Sequence, residues 1–217
     1  ALPQNEQRFV SIKQHSGSTQ SNDKSIAKRI YHGCSGKHCC QLAFCKHCGW
    51  DIDNYYEPTH PAQQALFRHL ENLSDRPLEK IAIDGCSLPA PAMTLSGFAR
   101  AIAQLAEPQK LIPSEKKAAL QIFDSVTKFP FLTGGTSAPN SLMTKKSRGT
   151  FFVKNGSEGV YACIIPEANC SIVLKMADGA MRAAETAMAG ILSEYAKELK
   201  IDASGAEYFA ELHVKNN

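Results

Sequence analysis

The 217-residue sequence lacks long hydrophobic runs and any strong excess of one charge. It has no stretch of about 18 apolar residues, and its N-terminus has neither an apolar signal core nor an arginine-rich presequence. Lysine and arginine total 24 against 21 aspartate and glutamate, so the formal net charge is only +3. Nucleic-acid binding usually shows a concentrated basic face instead. These absences predict a soluble, cytoplasmic protein that binds neither membranes nor nucleic acids.

Several catalytic signatures and repeat patterns are also missing. The chain has no Walker A loop, no GxGxxG fingerprint, no glycosidase-type carboxylate pair and no internal repeat. Hydrophobic residues nevertheless make up 43% of the chain and charged residues 21%, which is enough apolar material for a core. We therefore expect a polar N-terminal arm over residues 1–30, rich in Ser, Gln and Asn, followed by one domain over 31–217.

The hydrophobic pattern predicts an α+β fold, in which helices pack on an antiparallel sheet. Helical spacing occurs in four segments, which are 59–74, 94–106, 114–128 and 178–199. Short β-rich runs bounded by turn residues occur at 81–83, 150–154, 159–165, 170–176 and 207–214. The small residues of the last helix allow close packing on the sheet. The predicted core consists of Phe152, Val160, Ile164, Ile172, Leu174, Met188 and Leu192.

The cysteines are unevenly distributed. Five of the eight lie between Cys34 and Cys48, beside three histidines, which indicates reduced thiols or a metal site rather than spaced disulfides. Two arrangements within this segment are open. One is the turn Cys34-Ser35-Gly36-Lys37-His38, and the other is a zinc knuckle. The knuckle would use the thiols of the Cys45-Lys46-His47-Cys48 stretch with Cys39, Cys40 or His38.

Two further segments place chemically useful side chains at the ends of predicted strands. Asp84-Gly85-Cys86 follows the strand at 81–83, so a carboxylate and a thiol lie at a sheet rim. Lys154, two residues before Gly156, is similar to the Lys-Thr-Gly element of serine β-lactamases. Each segment alone is equally compatible with an ordinary turn. Cys163 and Cys170 flank a predicted hairpin turn and are either cross-strand partners or two buried free thiols.

In order along the chain, these segments resemble the Rhizobium-type L-asparaginases, the asparaginase II family, over roughly residues 32–200. The matching motifs are Cys34-Ser35-Gly36-Lys37-His38, His60-Pro61 with Gln63 or Gln64, Asp84-Gly85-Cys86 with Pro89, Gly134-Gly135 leading to Leu142-Met143, Val153-Lys154 with Gly156 and Glu158-Gly159-Val160-Tyr161, and Leu174-Lys175 with Asp178-Gly179-Ala180. Several ordered motifs are more specific than any one of them.

The resemblance implies an amidohydrolase that converts L-asparagine to L-aspartate and ammonia. The implied fold is similar to that of serine β-lactamases and glutaminases, and family members are often homodimers. The resemblance further implies a zinc ion held by Cys34, Lys37 and Cys86, with Asp84 close by. A lysine ligand must lose its proton, so its pKa has to fall from about 10.4, and an adjacent dication supplies that shift.

The resemblance also assigns catalytic and substrate-binding roles. By analogy with the Ser-Lys pairs of the family, we assign catalysis to Lys154, Ser35 and Lys37. We assign substrate binding to Gly156, Glu158 and Gly159.

The sequence departs from the family pattern at several positions. The family carries its catalytic serines upstream of the Cys-Ser-Gly-Lys turn, and only His15-Ser16-Gly17 resembles part of that segment. The N-terminal nucleophile segment is therefore expected to be lacking. Ser87 replaces a usual glycine, Asn140 lies where an acidic residue is expected, and no arginine lies between Gly135 and Leu142. The alternatives are a truncated, non-catalytic zinc-binding paralogue or an unrelated domain with a structural Cys-rich zinc site.

Overall fold

The computed structural model describes residues 32–204 and Ala206. These residues form two compact units. The first unit contains the described residues up to His69 together with 80–92, and the second contains 70–79 and the described residues from Met93 onward. The polar arm predicted over 1–30 and the closing strand predicted at 207–214 lie outside the described residues.

The first unit is built from helices and one hairpin. Helix α1 spans Ser35–Cys48, and helix α2 spans Pro61–Ser74, of which the part up to His69 belongs to this unit. Strands β1 (Lys80–Ile83) and β2 (Pro89–Ala92) pair antiparallel. Pro61 occupies the first turn of α2, as predicted, where the missing N–H of proline costs no hydrogen bond. Helix α1 was not predicted, because its apolar residues do not line one face.

The core of the first unit is small and largely aromatic. Cys45, Tyr55, Ala62 and Leu88 are buried in it. The half-buried apolar residues packed against them are Leu42, Phe44, Trp50, Tyr56 and Cys86. The apolar packing of this unit therefore reaches directly into the segments that carry the cysteine motifs.

The second unit contains the remaining elements, among which the predicted helices and strands keep the predicted order, while the helices at 131–134 and 139–146 were not predicted. The helices are α3 (Leu95–Ala106), α4 (Pro113–Lys128), α5 (Phe131–Gly134), α6 (Pro139–Lys146), α7 (Met181–Glu194) and α8 (Ala196–Leu199). The strands are β3 (Phe152–Asn155), β4 (Val160–Ile165) and β5 (Cys170–Lys175), and they form an antiparallel meander in the order β3-β4-β5. The predicted α+β class is confirmed. The predicted helix over 178–199 begins instead at Met181 and is interrupted at Tyr195.

Helices cover both faces of this sheet. On one face, Val153, Tyr161, Cys163 and Leu174 form a continuous apolar core with residues of α7, among them Met188. On the other face, the hydroxyl of Ser171 donates a hydrogen bond of 2.8 Å to the carbonyl of Ala99 in α3. Because side chains alternate along a strand, Ser171 points away from the α7 face that its neighbours occupy.

The predicted core is partly wrong. Ile172, Leu174, Met188 and Leu192 do belong to the α7 core. Phe152, Val160 and Ile164 do not, because Phe152 pairs with Ile164 and Ile164 pairs with Ser171, on the α3 face. Their neighbours Phe151, Val153, Tyr161, Cys163 and Ile165 occupy the α7 core instead. A one-residue shift in register moves every side chain to the opposite face of the sheet. Because Phe151 and Phe152 are adjacent and both apolar, the sequence does not show which of them points into the α7 core.

Cys163 and Cys170 are both free thiols. Cys163 pairs with Ile172 and Cys170 with Ile165, so the two cysteines are diagonal rather than directly opposite. Within the part of the chain that the structure describes, no helix combines the length and the apolar character needed to cross a membrane.

Candidate metal and active site

The Cys-Ser-Gly-Lys motif forms the start of helix α1. Cys34 is the residue before the first helical turn, and its carbonyl accepts the backbone N–H of His38 at 3.1 Å. The backbone N–H of Cys34 is itself bonded to Nδ1 of His32 at 3.1 Å. Residues three apart at a helix start lie on the same side, so this turn brings the Cys34 thiol and the Lys37 amine together.

The Asp-Gly-Cys motif forms the tip of the β1–β2 hairpin. The backbone N–H of Asp84 bonds to the carbonyl of Leu88 at 2.8 Å, and the N–H of Ser87 bonds back to the carbonyl of Asp84 at 2.8 Å. Ser87 has a φ of +73°, in the left-handed region that favours glycine. This backbone conformation explains why the family usually has glycine at this position. In this chain the same turn forms with serine.

The two motifs meet in one cluster of metal-ligating side chains. The sulfurs of Cys34 and Cys86 and a carboxylate oxygen of Asp84 lie within 4.8 Å of one another. Lys37 Nζ lies 2.9 Å from Asp84 Oδ2, and the Cys86 thiol donates to the same oxygen at 3.5 Å. The structure thus brings together the four residues that the resemblance assigned to the zinc site.

The rival knuckle arrangement is not formed. Cys39, Cys40 and Cys48 are exposed on α1, whereas Cys45 is buried in the core of the first unit. Over residues 32–204 and Ala206, the Cys34, Asp84 and Cys86 cluster is the one group of three such side chains with ligand atoms close enough for a metal. The geometry thus favours the cluster over a knuckle.

Without a metal, the protonation states of the cluster oppose metal binding. Burial and the neighbouring Cys86 thiol raise the pKa of Cys34 to about 11. Burial acts to lower the pKa of Lys37, but its hydrogen bond to Asp84 and the nearby Cys86 raise it overall. Burial acts to raise the pKa of Asp84, but the Lys37 hydrogen bond and charge outweigh it and lower the pKa. The metal-free cluster therefore holds protonated Cys34 and a Lys37–Asp84 ion pair.

The donor set of the cluster fits zinc. Zinc prefers thiolate sulfur with nitrogen or carboxylate oxygen, and the cluster offers two sulfurs, one amine and one carboxylate. Protons must leave the thiols, and also Lys37 if its amine is a ligand, when a dication binds. Ser35 is the first residue of α1, directly after Cys34.

The predicted catalytic lysine and substrate-binding residues lie together in the second unit. Lys154 is exposed on β3, where its Nζ donates to Asn155 Oδ1 at 2.9 Å and to the Asn155 carbonyl at 2.6 Å. Gly156, Glu158 and Gly159 form the β3–β4 turn, in which the N–H of Gly156 bonds to the carbonyl of Val160 at 2.8 Å.

Gly159 has a clear structural requirement in this turn. Its φ is +69°, and a Cβ at this position would lie 2.7 Å from Cβ of Met176. Glycine is therefore needed here for close packing as well as for the left-handed backbone.

The Gly134-Gly135 motif also has a packing explanation. A Cβ on Gly134 would lie 2.5 Å from both side-chain polar atoms of Asn140 and 2.8 Å from the hydroxyl of Ser141. Asn140 is buried in the first turn of α6, and its Nδ2 has no hydrogen-bond partner among the residues that the structure describes. The neutral Asn140 thus occupies the buried position where the family pattern led us to expect an acidic side chain.

The first unit contains site neighbours that the motifs did not identify. Tyr55 is buried beside His38 and Cys86, and neither its spacing nor its surroundings in the sequence distinguish it. Gln63 was noted only as part of the His-Pro motif, yet it is buried and bonds to the carbonyl of Tyr55 at 2.7 Å. Only the three-dimensional arrangement of the first unit reveals these two residues.

Comparison with known proteins supports the sequence motifs. The family model described as L-asparaginase II matches residues 9–217, which extends the resemblance beyond residues 32–200 in both directions. A search of curated proteins found no match. The family match supports an amidohydrolase of the asparaginase type that acts on a small molecule. A model match over most of the chain, with its cysteine and lysine motifs gathered in one cluster, shows that the protein belongs to the L-asparaginase II family.

Proposed function

We propose that this protein hydrolyses the side-chain amide of L-asparagine to L-aspartate and ammonia, using a site that contains zinc. The observation that carries the proposal is the cluster of Cys34, Lys37, Asp84 and Cys86 in a chain of the L-asparaginase II family. Cys34, Lys37 and Cys86 would hold the zinc, with Asp84 beside it. A bound zinc ion supplies a positive charge that polarises a carbonyl oxygen or lowers the pKa of water.

Serine and lysine side chains supply the remaining chemistry. A serine oxygen attacks the amide carbon, its hydroxyl proton passes to the amide nitrogen, and the carbon–nitrogen bond breaks to release ammonia. Water then hydrolyses the resulting ester, which releases aspartate and restores the hydroxyl. Ser35 is our candidate nucleophile among the described residues, because it lies next to Cys34 and in the same helical turn as Lys37.

We propose that Lys154 stabilises the negative charge that develops on the amide oxygen. The support is that the Lys154 side chain is exposed on β3, an edge strand of the sheet, directly before a glycine-containing turn. Gly156, Glu158 and Gly159 form the turn that continues from this strand, and we propose that they contact the substrate.

The proposal is tested by ammonia release from L-asparagine, with zinc content measured on the same sample. We expect Lys154→Ala to lower the rate by about 100-fold or more while zinc stays bound. Lys128→Ala is the matched control, because Lys128 is an exposed lysine paired with Asp124 in α4, outside every family motif. Full activity in Lys154→Ala would refute its catalytic role. Zinc binding without ammonia release by the unchanged protein would favour the non-catalytic paralogue.

A further inference from the structure

A chain of buried hydrogen bonds runs behind the metal cluster in the first unit. Gln63, Tyr55 and His38 are only 2%, 1% and 5% exposed. Gln63 Nε2 donates to the backbone carbonyl of Tyr55 and to Gln41 Oε1, both at 2.7 Å. The Tyr55 hydroxyl lies 2.5 Å from Nδ1 of His38. Both N–H donors of the Gln63 amide are thus used, and they fix the backbone from which the Tyr55 ring extends.

His38 connects this chain to the hairpin tip. The His38 ring also makes a hydrogen bond to the backbone of Cys86, at the tip of the β1–β2 hairpin. Burial raises the pKa of Tyr55, so its hydroxyl keeps its proton and can donate. With the Tyr55 hydroxyl as donor, His38 Nδ1 accepts this hydrogen bond, and the other ring nitrogen is left to donate to the backbone carbonyl of Cys86.

Within the described residues, the hairpin turn that carries Cys86 has few other contacts that would hold it in place. All residues of β1 are exposed, and a two-stranded hairpin is at best marginally stable alone. The side chains of the Lys37–Asp84 ion pair at its tip are both more than a third exposed, and solvent screening makes the contribution of such a pair small. The attachments shielded from water are Leu88, which is buried in the aromatic core, and His38.

We propose that Gln63, Tyr55 and His38 form a positioning network that holds the Cys86 sulfur opposite Cys34 at a distance suited to one metal ion. The inference rests on the proposed function, because it deepens the account of the same zinc site. Two consecutive residues of α1 bind the hairpin tip, because Lys37 donates a hydrogen bond to Asp84 and His38 bonds to the backbone of Cys86. None of the three network residues is itself a ligand; each acts through the position of Cys86.

The first test measures metal binding in the full chain. Tyr55→Phe removes one hydroxyl and leaves the ring in the core, so we expect the Kd for zinc to rise about 10- to 100-fold. Without metal, the variant should unfold at a denaturant concentration only slightly below that of the unchanged chain, because a single hydrogen bond is lost. Tyr56→Phe is the matched control, since Tyr56 packs on the same core and its ring meets that of Tyr55 edge to face, whereas the hydrogen bond to His38 comes from Tyr55.

A second readout separates positioning from stability. With cobalt in place of zinc, Tyr55→Phe should weaken the thiolate-to-cobalt charge-transfer absorption per bound cobalt, which a uniformly less stable but correctly folded protein would not do. His38→Ala should have the same effect, and His38→Gln, whose amide can both accept and donate, should restore part of the zinc affinity. Equal affinities and spectra in Tyr55→Phe and Tyr56→Phe would overturn the network.

A third readout uses no metal, so it also decides the network if the proposed zinc function fails. In metal-free protein we expect Cys86 to react with iodoacetamide several-fold faster in Tyr55→Phe than in the unchanged chain. The exposed Cys39, Cys40 and Cys48 serve as internal references whose rates should not change. Unchanged alkylation of Cys86 would overturn the positioning role, whereas absence of zinc binding with faster alkylation would overturn only the zinc site.

Discussion

The two compact units differ in how they hold their functional residues. In the second unit, an apolar core between sheet and helix fixes strand β3, and Lys154 is positioned by strand register. In the first unit, the core is small, and a hydrogen-bonded turn and a helix start present the cysteines and Lys37. The comparison shows that regular packing holds the candidate residues of the second unit, whereas specific polar contacts hold those of the first.

The largest expected effect is a loss of stability, and it tests the apolar packing of the second unit. Leu192 is buried in the core that α7 forms with the sheet, so Leu192→Ala should lower the free energy of unfolding by about 2–5 kcal/mol. Leu132→Ala is the control, because Leu132 is 73% exposed and its truncation leaves no cavity. Denaturant unfolding measures both, and equal costs would contradict the assigned core.

The second prediction concerns the polar cluster of the first unit, through the pH dependence of its affinity for zinc. The pKa of Cys34 is about 11, so below that pH its thiol is protonated and must release a proton when zinc binds. We expect the affinity for zinc to rise with pH between pH 6 and 8, by about 10-fold per pH unit for each proton released, and three protons leave if Cys34, Cys86 and Lys37 all bind the metal. Competition with a chelator of known pH behaviour measures this slope. A flat profile would show that the metal binds without the thiols.

The smallest effect concerns the strained turn at the hairpin tip. Ser87 adopts a φ of +73°, so Ser87→Gly should stabilise the protein by about 0.5–1 kcal/mol. Ser96→Gly, in the first turn of α3, is a control that should instead destabilise by about 0.5–1 kcal/mol. Thermal unfolding of the two variants distinguishes them, and loss of stability in Ser87→Gly would show that the serine side chain supports the turn.

The sequence predicted the regular elements of the second unit well. Helices α3 and α4 and the β3-β4-β5 meander follow from apolar periodicity and turn residues, because in these elements one face or alternate residues are buried. The face assignment failed at Phe152, since Phe151 and Phe152 are both apolar and only packing against α7 decides which points inward. Helix α1 was missed because its buried residues follow no helical stripe.

The candidate site was predictable only where family motifs supplied it. Cys34, Lys37, Asp84 and Cys86 came from motif resemblance, and the structure brings them together although Lys37 and Asp84 are 47 residues apart. Tyr55 gave no signal, because its role depends on a hydrogen bond to His38 that forms only when the chain folds. The left-handed backbone at residue 87 explains a family glycine, which the sequence of this chain alone does not reveal.

The central claim is that the thiols of Cys34 and Cys86, rather than those of the Cys45–Cys48 stretch, bind zinc. The most direct test is the zinc content of purified protein, compared among the unchanged chain, Cys86→Ala and Cys48→Ala, with folding of each variant verified by circular dichroism. Cys48 is an exposed free thiol outside the cluster, so its variant is the control. The account predicts about one zinc per chain in the unchanged protein and in Cys48→Ala, and little in Cys86→Ala. Full zinc in Cys86→Ala, or equal loss in Cys48→Ala, would contradict it.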